Sequence, residues 1–234
     1  MADSGTAIIW TKGKRMHLEI LIEDLSGKKA LDILIPKIIG REHTFKVHPY
    51  KGIGHIPKGL KGKSDPNKRI LLDQLPKLLK GYGETFAHYP ADYPAAVILV
   101  CDLDDKCRKA FKKELLEMLN TFQPKPETKF CFAIEEGEAW FLGDLQAIKT
   151  VYPKAKNVVL SAYVNDSICG TWECLADAVF PGGSKALSAQ GWQKIGAEKS
   201  EWAKKISPNM EITANKSPSF QYFCEKIFEL IQRT

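Results

Sequence analysis

Carboxylates gather at the ends of three apolar runs in this chain. HLEILIE (17–23) closes on Glu23, with Asp24 next. AVILVCDLD (96–104) carries Asp102 and Asp104, and FCFAIEEGE (130–138) carries Glu135, Glu136 and Glu138. In an open parallel α/β sheet the carboxyl ends of the strands share one edge, and ligands bind in the crevice outside it. Three strands ending in acid would crowd carboxylates there, each contact pair repelling by about 1 kcal/mol even in bulk water. A cation must offset that repulsion. Oxygen-only ligands, with no dedicated His or Cys, suit magnesium or manganese, which use one or two protein carboxylates and complete their shell with water and substrate phosphate.

The elements that must position these acids alternate between strand and helix. Residues 16–22 read as a strand, followed by a helical pattern over 26–39 that Pro36 should kink or end. Residues 70–79 have a helical apolar distribution, and 95–101 form a nearly continuous apolar run of the kind a parallel strand covered on both faces needs. Phe111, Leu115, Met118, Leu119 and Phe122 then fall on one helical stripe. FCFAIEE and a helix through Trp140, Phe141 and Leu145 make another βα unit; NVVLSAYV (157–164) reads as a shorter strand, and 172–179 as a helix before the Pro-Gly-Gly break at 181–183. The last helix is well marked, with Ser217 as N-cap, Pro218 at the first helical position, and Phe220, Phe223, Cys224, Ile227, Phe228 and Ile231 on its apolar face.

At 234 residues, 44% hydrophobic and 26% charged, the chain can bury a full core. No stretch approaches the roughly 20 apolar residues that cross a bilayer, and MADSGTAIIWTKGKR lacks the apolar core of a signal peptide, so the cytoplasm is the expected compartment and no membrane partner is expected. The six cysteines include no C-x-x-C pair, which argues against a structural zinc or a disulfide framework. The formal charge of +6 is unevenly spread: between Arg41 and Lys80 ten basic residues face three acids. Within this region YKGIGHIPKGLKGKSDPNKR (50–69) has no apolar period and reads as a surface loop, either a solvated insertion or a segment that lies along a phosphate backbone.

The motifs together resemble a known family. ILIEDLSGKKAL (20–31) and VILVCDLDD (97–105) look like the two signatures of Toprim domains, a glutamate after the first strand and an Asp-x-Asp pair after a later one. With AIEEGEAWFLGD (133–144), SICGTWECLADA (167–178), EWAKKI (201–206) and NKSPSFQYF (215–223), the whole chain resembles the Toprim-like domain-of-unknown-function family 4276, often found beside bacterial ATPases in defence loci. The resemblance implies a mostly parallel α/β sheet flanked by helices over residues 1–165, with a basic loop at about 41–69 and a helical carboxy-terminal extension over 166–234 packed on that core. It implies Glu23 as general acid/base and metal ligand, and Asp102 and Asp104 as the metal pair. Glu138, matching the family's Glu-x-Trp pattern, would add acid, with Asp24 and Glu136 as lesser candidates. This chain departs from the usual Toprim turn, in which glycine follows the glutamate: here Asp24 follows, and the glycine is Gly27.

Two functions follow as expectations. One is a magnesium- or manganese-dependent hydrolase of DNA or RNA, with Lys28, Lys106, Arg108 and Lys185 as candidate phosphate contacts. The other is a Toprim-like subunit that docks on an ATPase, its catalysis lost or conditional on assembly. A haloacid-dehalogenase-like phosphotransferase is a third reading of DLDD, against which stands Asp105-Lys106 where that chemistry has Gly-Thr. Singly, each acid has a plainer role available, because acids after a strand cap the next helix and are favoured by its dipole.

Overall fold

Consecutive apolar residues in a strand have use only if both faces of the strand are covered, and three strands here are built that way. A computed structural model describes residues 15–57, 66–104, 106–167 and 170–232. In chain order the strands are β1 (His17–Ile22), β2 (Thr44–Pro49), β3 (Ala95–Asp102) and β4 (Thr128–Ala133). They form one all-parallel sheet in the order β2-β1-β3-β4. The helices are α1 (Leu25–Ile39), α2 (Leu71–Phe86), α3 (Arg108–Leu119), α4 (Glu138–Leu142), α5 (Leu145–Val151), α6 (Asn157–Ala162), α7 (Thr171–Val179), α8 (Gly183–Ser188), α9 (Trp192–Ile206) and α10 (Pro218–Gln232). None of the described helices is long and apolar enough to cross a membrane.

Alternation along the strands divides the interior in two. Leu18, Ile20, Ile22, Ile98 and Val100 face α1 and the carboxy-terminal helices, packing with Leu34, Ile35, Trp140, Trp202, Phe220 and Phe223. Leu21, Val97, Leu99, Phe130 and Phe132 face α2 and α3, packing with Leu72, Leu75, Phe111 and Leu115. The carboxy-terminal helices thus share a continuous core with the sheet, α9 lying on α1 and α10 on β4.

Three segments differ from their sequence expectation. Pro36 does not end α1, which runs three residues further to Ile39 and closes where Gly40 N donates to Pro36 O. The ring removes a donor and crowds the carbonyl one turn back, but continuing the helix buries Ile38 and Ile39. Within the basic stretch 41–69, Thr44–Pro49 is not loop but the edge strand β2, in register with β1; residues 58–65 of the stretch lie outside the described residues. NVVLSAYV is not a strand: residues 157–162 form α6. The sheet offers it no neighbour, and a helix buries Leu160 while leaving Val158 exposed, so packing overrides the β-branched preference.

The amino-terminal half of the sheet holds a polar network invisible in the sequence. Glu19 on β1 accepts from His48 on β2, contacts His17 Nε2 at 3.3 Å, and receives Tyr82 OH at 3.4 Å. Burial works to raise the Glu19 carboxyl, but the hydrogen bonds and charges of His17 and His48 outweigh it and hold the group down at about 2. These contacts tie the edge strand to its neighbour.

Candidate functional site

The register that pairs Ile22 with Val100 carries Glu23 and Asp102 to adjacent positions on the carboxyl edge. Glu23 Oε2 accepts from Asp102 N at 3.2 Å. Together with Glu138 and the ammonium of Lys199 they border a cavity of about 40 Å³ walled by Ile22, Val100 and Phe141. That space holds one or two water-sized groups. On its outer side it adjoins an open groove of about 480 Å³, with Glu23, Asp24, Ser26 and Lys199 common to both.

The entry of α1 is tightly built around the site. Asp24 is its N-cap, accepting from Gly27 N at 2.7 Å and from Ser26 Oγ. A Cβ on Gly27 would stand 2.4 Å from Ile22 Cδ1 and 2.8 Å from Asp24 Oδ1, so only glycine lets the helix start this close to the strand end. Gly27→Ala is expected to cost about 1 to 3 kcal/mol and to dislodge the Asp24 cap, measurable by urea unfolding.

Each acid predicted from sequence has a definite place. Burial raises the Glu23 carboxyl to about 7, the Asp102 amide pulling it back and the charges of Asp24 and Asp104 pushing it further. Asp102 keeps some surface at the cleft but is enclosed enough that burial, then Glu23, drive its carboxyl well above the usual range. Asp104 turns outward: its φ of 48° is left-handed, its side chain is half exposed, and it pairs with Lys106 Nζ at 3.2 Å. Glu138 is buried at 3% exposure and pairs with Lys199 Nζ at 3.0 Å. Glu136 reaches the same ammonium at 3.6 Å and accepts from Trp172 N, while burial raises it to about 7. Glu135 is committed to structure: at φ 62° it accepts from Gly170 N, Thr171 N and Thr171 Oγ1, capping α7 across 36 residues of sequence.

Of the four predicted phosphate contacts, only Lys106 acts on the acids, lowering Glu23 electrostatically. Lys28 pairs with Asp32 along α1. Arg108 lines a separate groove with Lys109, Lys112 and Tyr222, and Lys185 is exposed on α8.

Sequence reasoning missed Lys199. It arrives from α9, where Ile195, Lys199, Trp202 and Ile206 share one buried stripe at helical spacing. A lysine at an apolar stripe position is the signal that marks it. Burial opposes its charge, but Glu138, Glu136 and Asp102 together hold it protonated well above the usual lysine range. The same burial pushes Glu138 up and Lys199 pulls it back, the two groups meeting at 3.0 Å.

The donor set decides which cation fits. Among the described residues no three His, Cys, Asp or Glu side chains are gathered into a ready-made metal cage. Two oxygen donors, Glu23 and Asp102, beside a cavity with room for water fit a magnesium-like ion that keeps most of its own shell.

The pH dependence of stability follows from these shifts. Glu23 and Glu136, raised from 4.5 to about 7, contribute stability that is complete below pH 4.5 and lost as pH rises through 7. Glu19, lowered from 4.5 to about 2, contributes stability present above pH 4.5 and lost as pH falls through 2. The protein in chelator is expected to melt highest near pH 5 and to lose stability by pH 8, the Glu23 share being no more than about 3 kcal/mol. Thermal melts from pH 3 to 8 measure it, and a flat profile above pH 5 would contradict the site's electrostatics.

No curated protein and no solved structure matches the chain. A family model described as a domain of unknown function, DUF4276, matches residues 22–227, a span that begins at the end of β1 and takes in Glu23, Asp102, Glu138 and Lys199. The chain therefore belongs to the DUF4276 family.

Proposed function

We propose that the protein is a divalent-cation-dependent phosphodiester hydrolase acting on DNA or RNA, with magnesium or manganese as its cofactor. The observation that carries this reading is the junction of Glu23 and Asp102 at a small cavity that shares Glu23, Asp24, Ser26 and Lys199 with an open groove of about 480 Å³. Asp102 and Glu23 would hold the cation; Asp104, turned outward and paired with Lys106, would have to leave that pair to join them. The bound cation would neutralise charge developing on the phosphoryl oxygens. Glu23, beside the amide of Asp102 at the strand ends, would take a proton from the attacking water and return it to the leaving oxygen. Lys199 steadies Asp102 and Glu138 at the resting site.

The test is cleavage of labelled single- and double-stranded DNA and RNA oligonucleotides with magnesium or manganese and with chelator. Cation-dependent products that vanish in Glu23→Gln support the reading; identical products from wild type and variant would sink it.

A second reading has its own support. Lys199 already supplies the acid cluster with an internal positive charge, an arrangement suited to a site held quiet until a partner reshapes it. A subunit that cuts only in complex with an ATPase would behave this way, and cleavage appearing only on addition of that partner would favour it.

A further inference from the structure

The groove beside the acid cluster is built on one hydrogen-bonded scaffold with Glu23. Beyond the end of β2, Tyr50 N donates to Ile22 O at 2.8 Å and Gly52 N to Glu23 O at 2.8 Å. On the other side, Lys51 N donates to Arg69 O at 2.8 Å and Leu71 N to Gly52 O at 3.1 Å. The backbone that carries Glu23 is therefore tied, through two residues, to the backbone that carries Lys51 and Arg69. Arg69 is held further by its own guanidinium, Nη2 donating to Pro49 O at 2.7 Å, and its φ of 52° is a left-handed conformation that a non-glycine residue adopts at a cost. Nothing in the two catalytic candidates requires that strain.

The opposite wall of the groove is α9, which presents Gly196, Lys199 and Ser200. Glycine weakens a helix interior, so Gly196 calls for a reason. Packing against other elements supplies none: Gly196 is exposed, and beyond its own stretch of helix nothing lies within 4 Å of a Cβ built there. Gly196 therefore leaves open space on a groove that Lys51 and Arg69 also line and that reaches Glu23 and Asp24, room for something anionic to pass close to the helix backbone.

Resting on the hydrolase reading above, we propose that this groove is the nucleic-acid subsite: a sugar-phosphate strand lies between the Lys51–Arg69 wall and α9, its flanking phosphate held by Lys51 and Arg69 and its backbone passing over Gly196 toward Glu23 and Asp102. The strand is recognised through its phosphates, so binding is sequence-tolerant and salt-dependent. The loop 50–57 and Arg69 then act as a positioning rail, registering the scissile phosphate a fixed distance beyond the flanking one.

The probe is a fluorescein-labelled 20-nucleotide DNA or RNA strand, titrated by anisotropy in calcium or chelator so that turnover does not intervene. The proteins are wild type, Lys51→Glu, Arg69→Gln, Gly196→Leu, Gly196→Ala and, as an exposed lysine outside the groove, Lys154→Glu. Circular dichroism checks the fold of each. Lys51→Glu is expected to weaken binding at least tenfold and to lower the slope of log affinity against log salt by about one. Gly196→Leu should block binding more strongly than Gly196→Ala, and Lys154→Glu should leave it within twofold of wild type. Divalent binding, read separately by calorimetry, should survive in the groove variants. If wild type binds the strand and Lys51→Glu and Gly196→Leu bind it equally well, the groove is not the path although the hydrolase reading stands. If wild type binds no strand of either kind, the hydrolase reading itself falls and this subsite with it. Arg69→Gln covers the case in which Gly196→Leu unfolds: it gives up the bond to Pro49 O but keeps the main-chain tie from Lys51 N, and, folded, it should weaken strand binding, unchanged binding counting against the groove.

Discussion

Asp102→Asn is expected to abolish divalent-cation binding and to cut any cation-dependent cleavage by about 10³-fold, while making the cation-free protein more stable at pH 8. Stability and activity should move in opposite directions because of what Asp102 does in the resting fold. Its carboxyl is enclosed at the end of β3 and driven up first by burial and then by Glu23. A neutral amide of the same shape removes that repulsion and still leaves Asp102's main-chain N–H for Glu23 to accept from. Calorimetry with magnesium and manganese, beside thermal melts in chelator at pH 5 and pH 8, reads both halves of the expectation. A variant that loses stability at pH 8 and keeps its cation binding would show that Asp102 is a structural acid.

Lys199→Met is expected to have the largest effect on the fold, about 3 to 5 kcal/mol of lost stability at pH 8. The substitution preserves the stem that packs on α9's buried stripe and removes only the ammonium that Glu138 meets at 3.0 Å and Glu136 at 3.6 Å. Two acids and Asp102 are then left without their internal counter-charge in a largely buried site. Lowering the pH should restore most of the loss, since protonating the carboxyls removes the charge that needs a partner. Magnesium should restore part of it too, and the cation should bind about tenfold tighter than in wild type, because a positive charge has left its neighbourhood. Urea unfolding at pH 5.5 and pH 8, with and without magnesium, separates these contributions. Equal stability of Lys199→Met and wild type at pH 8 would mean that the pair contributes nothing to the fold.

These two residues also mark the border between what could be read from the chain and what could not. Glu23 and Asp102 were legible because each ends an apolar run, and a parallel sheet must bring such ends to one edge. The continuous run at 95–101 announced a strand buried on both faces, and the serine-proline start of α10 announced its helix. The acids after β4 were legible as acids but not as individuals. Their roles depend on α7 and α9, which come 36 residues and more later in the chain, so Glu135 is a helix cap, Glu138 an ion-pair partner and Glu136 some of each.

Local pattern and elementary sterics determined by themselves that this is an α/β protein with a parallel sheet, where most of its strands and helices lie, and that acid collects at one end of it. Tertiary structure decided the rest. Which carboxylates share a cavity, which lysine balances them, that 157–162 is helix, and that Lys51, Arg69 and Gly196 face one another across a groove all depend on contacts between residues far apart in sequence. A strand's periodicity records only which face is covered; the identity of what covers it is set when the layers pack.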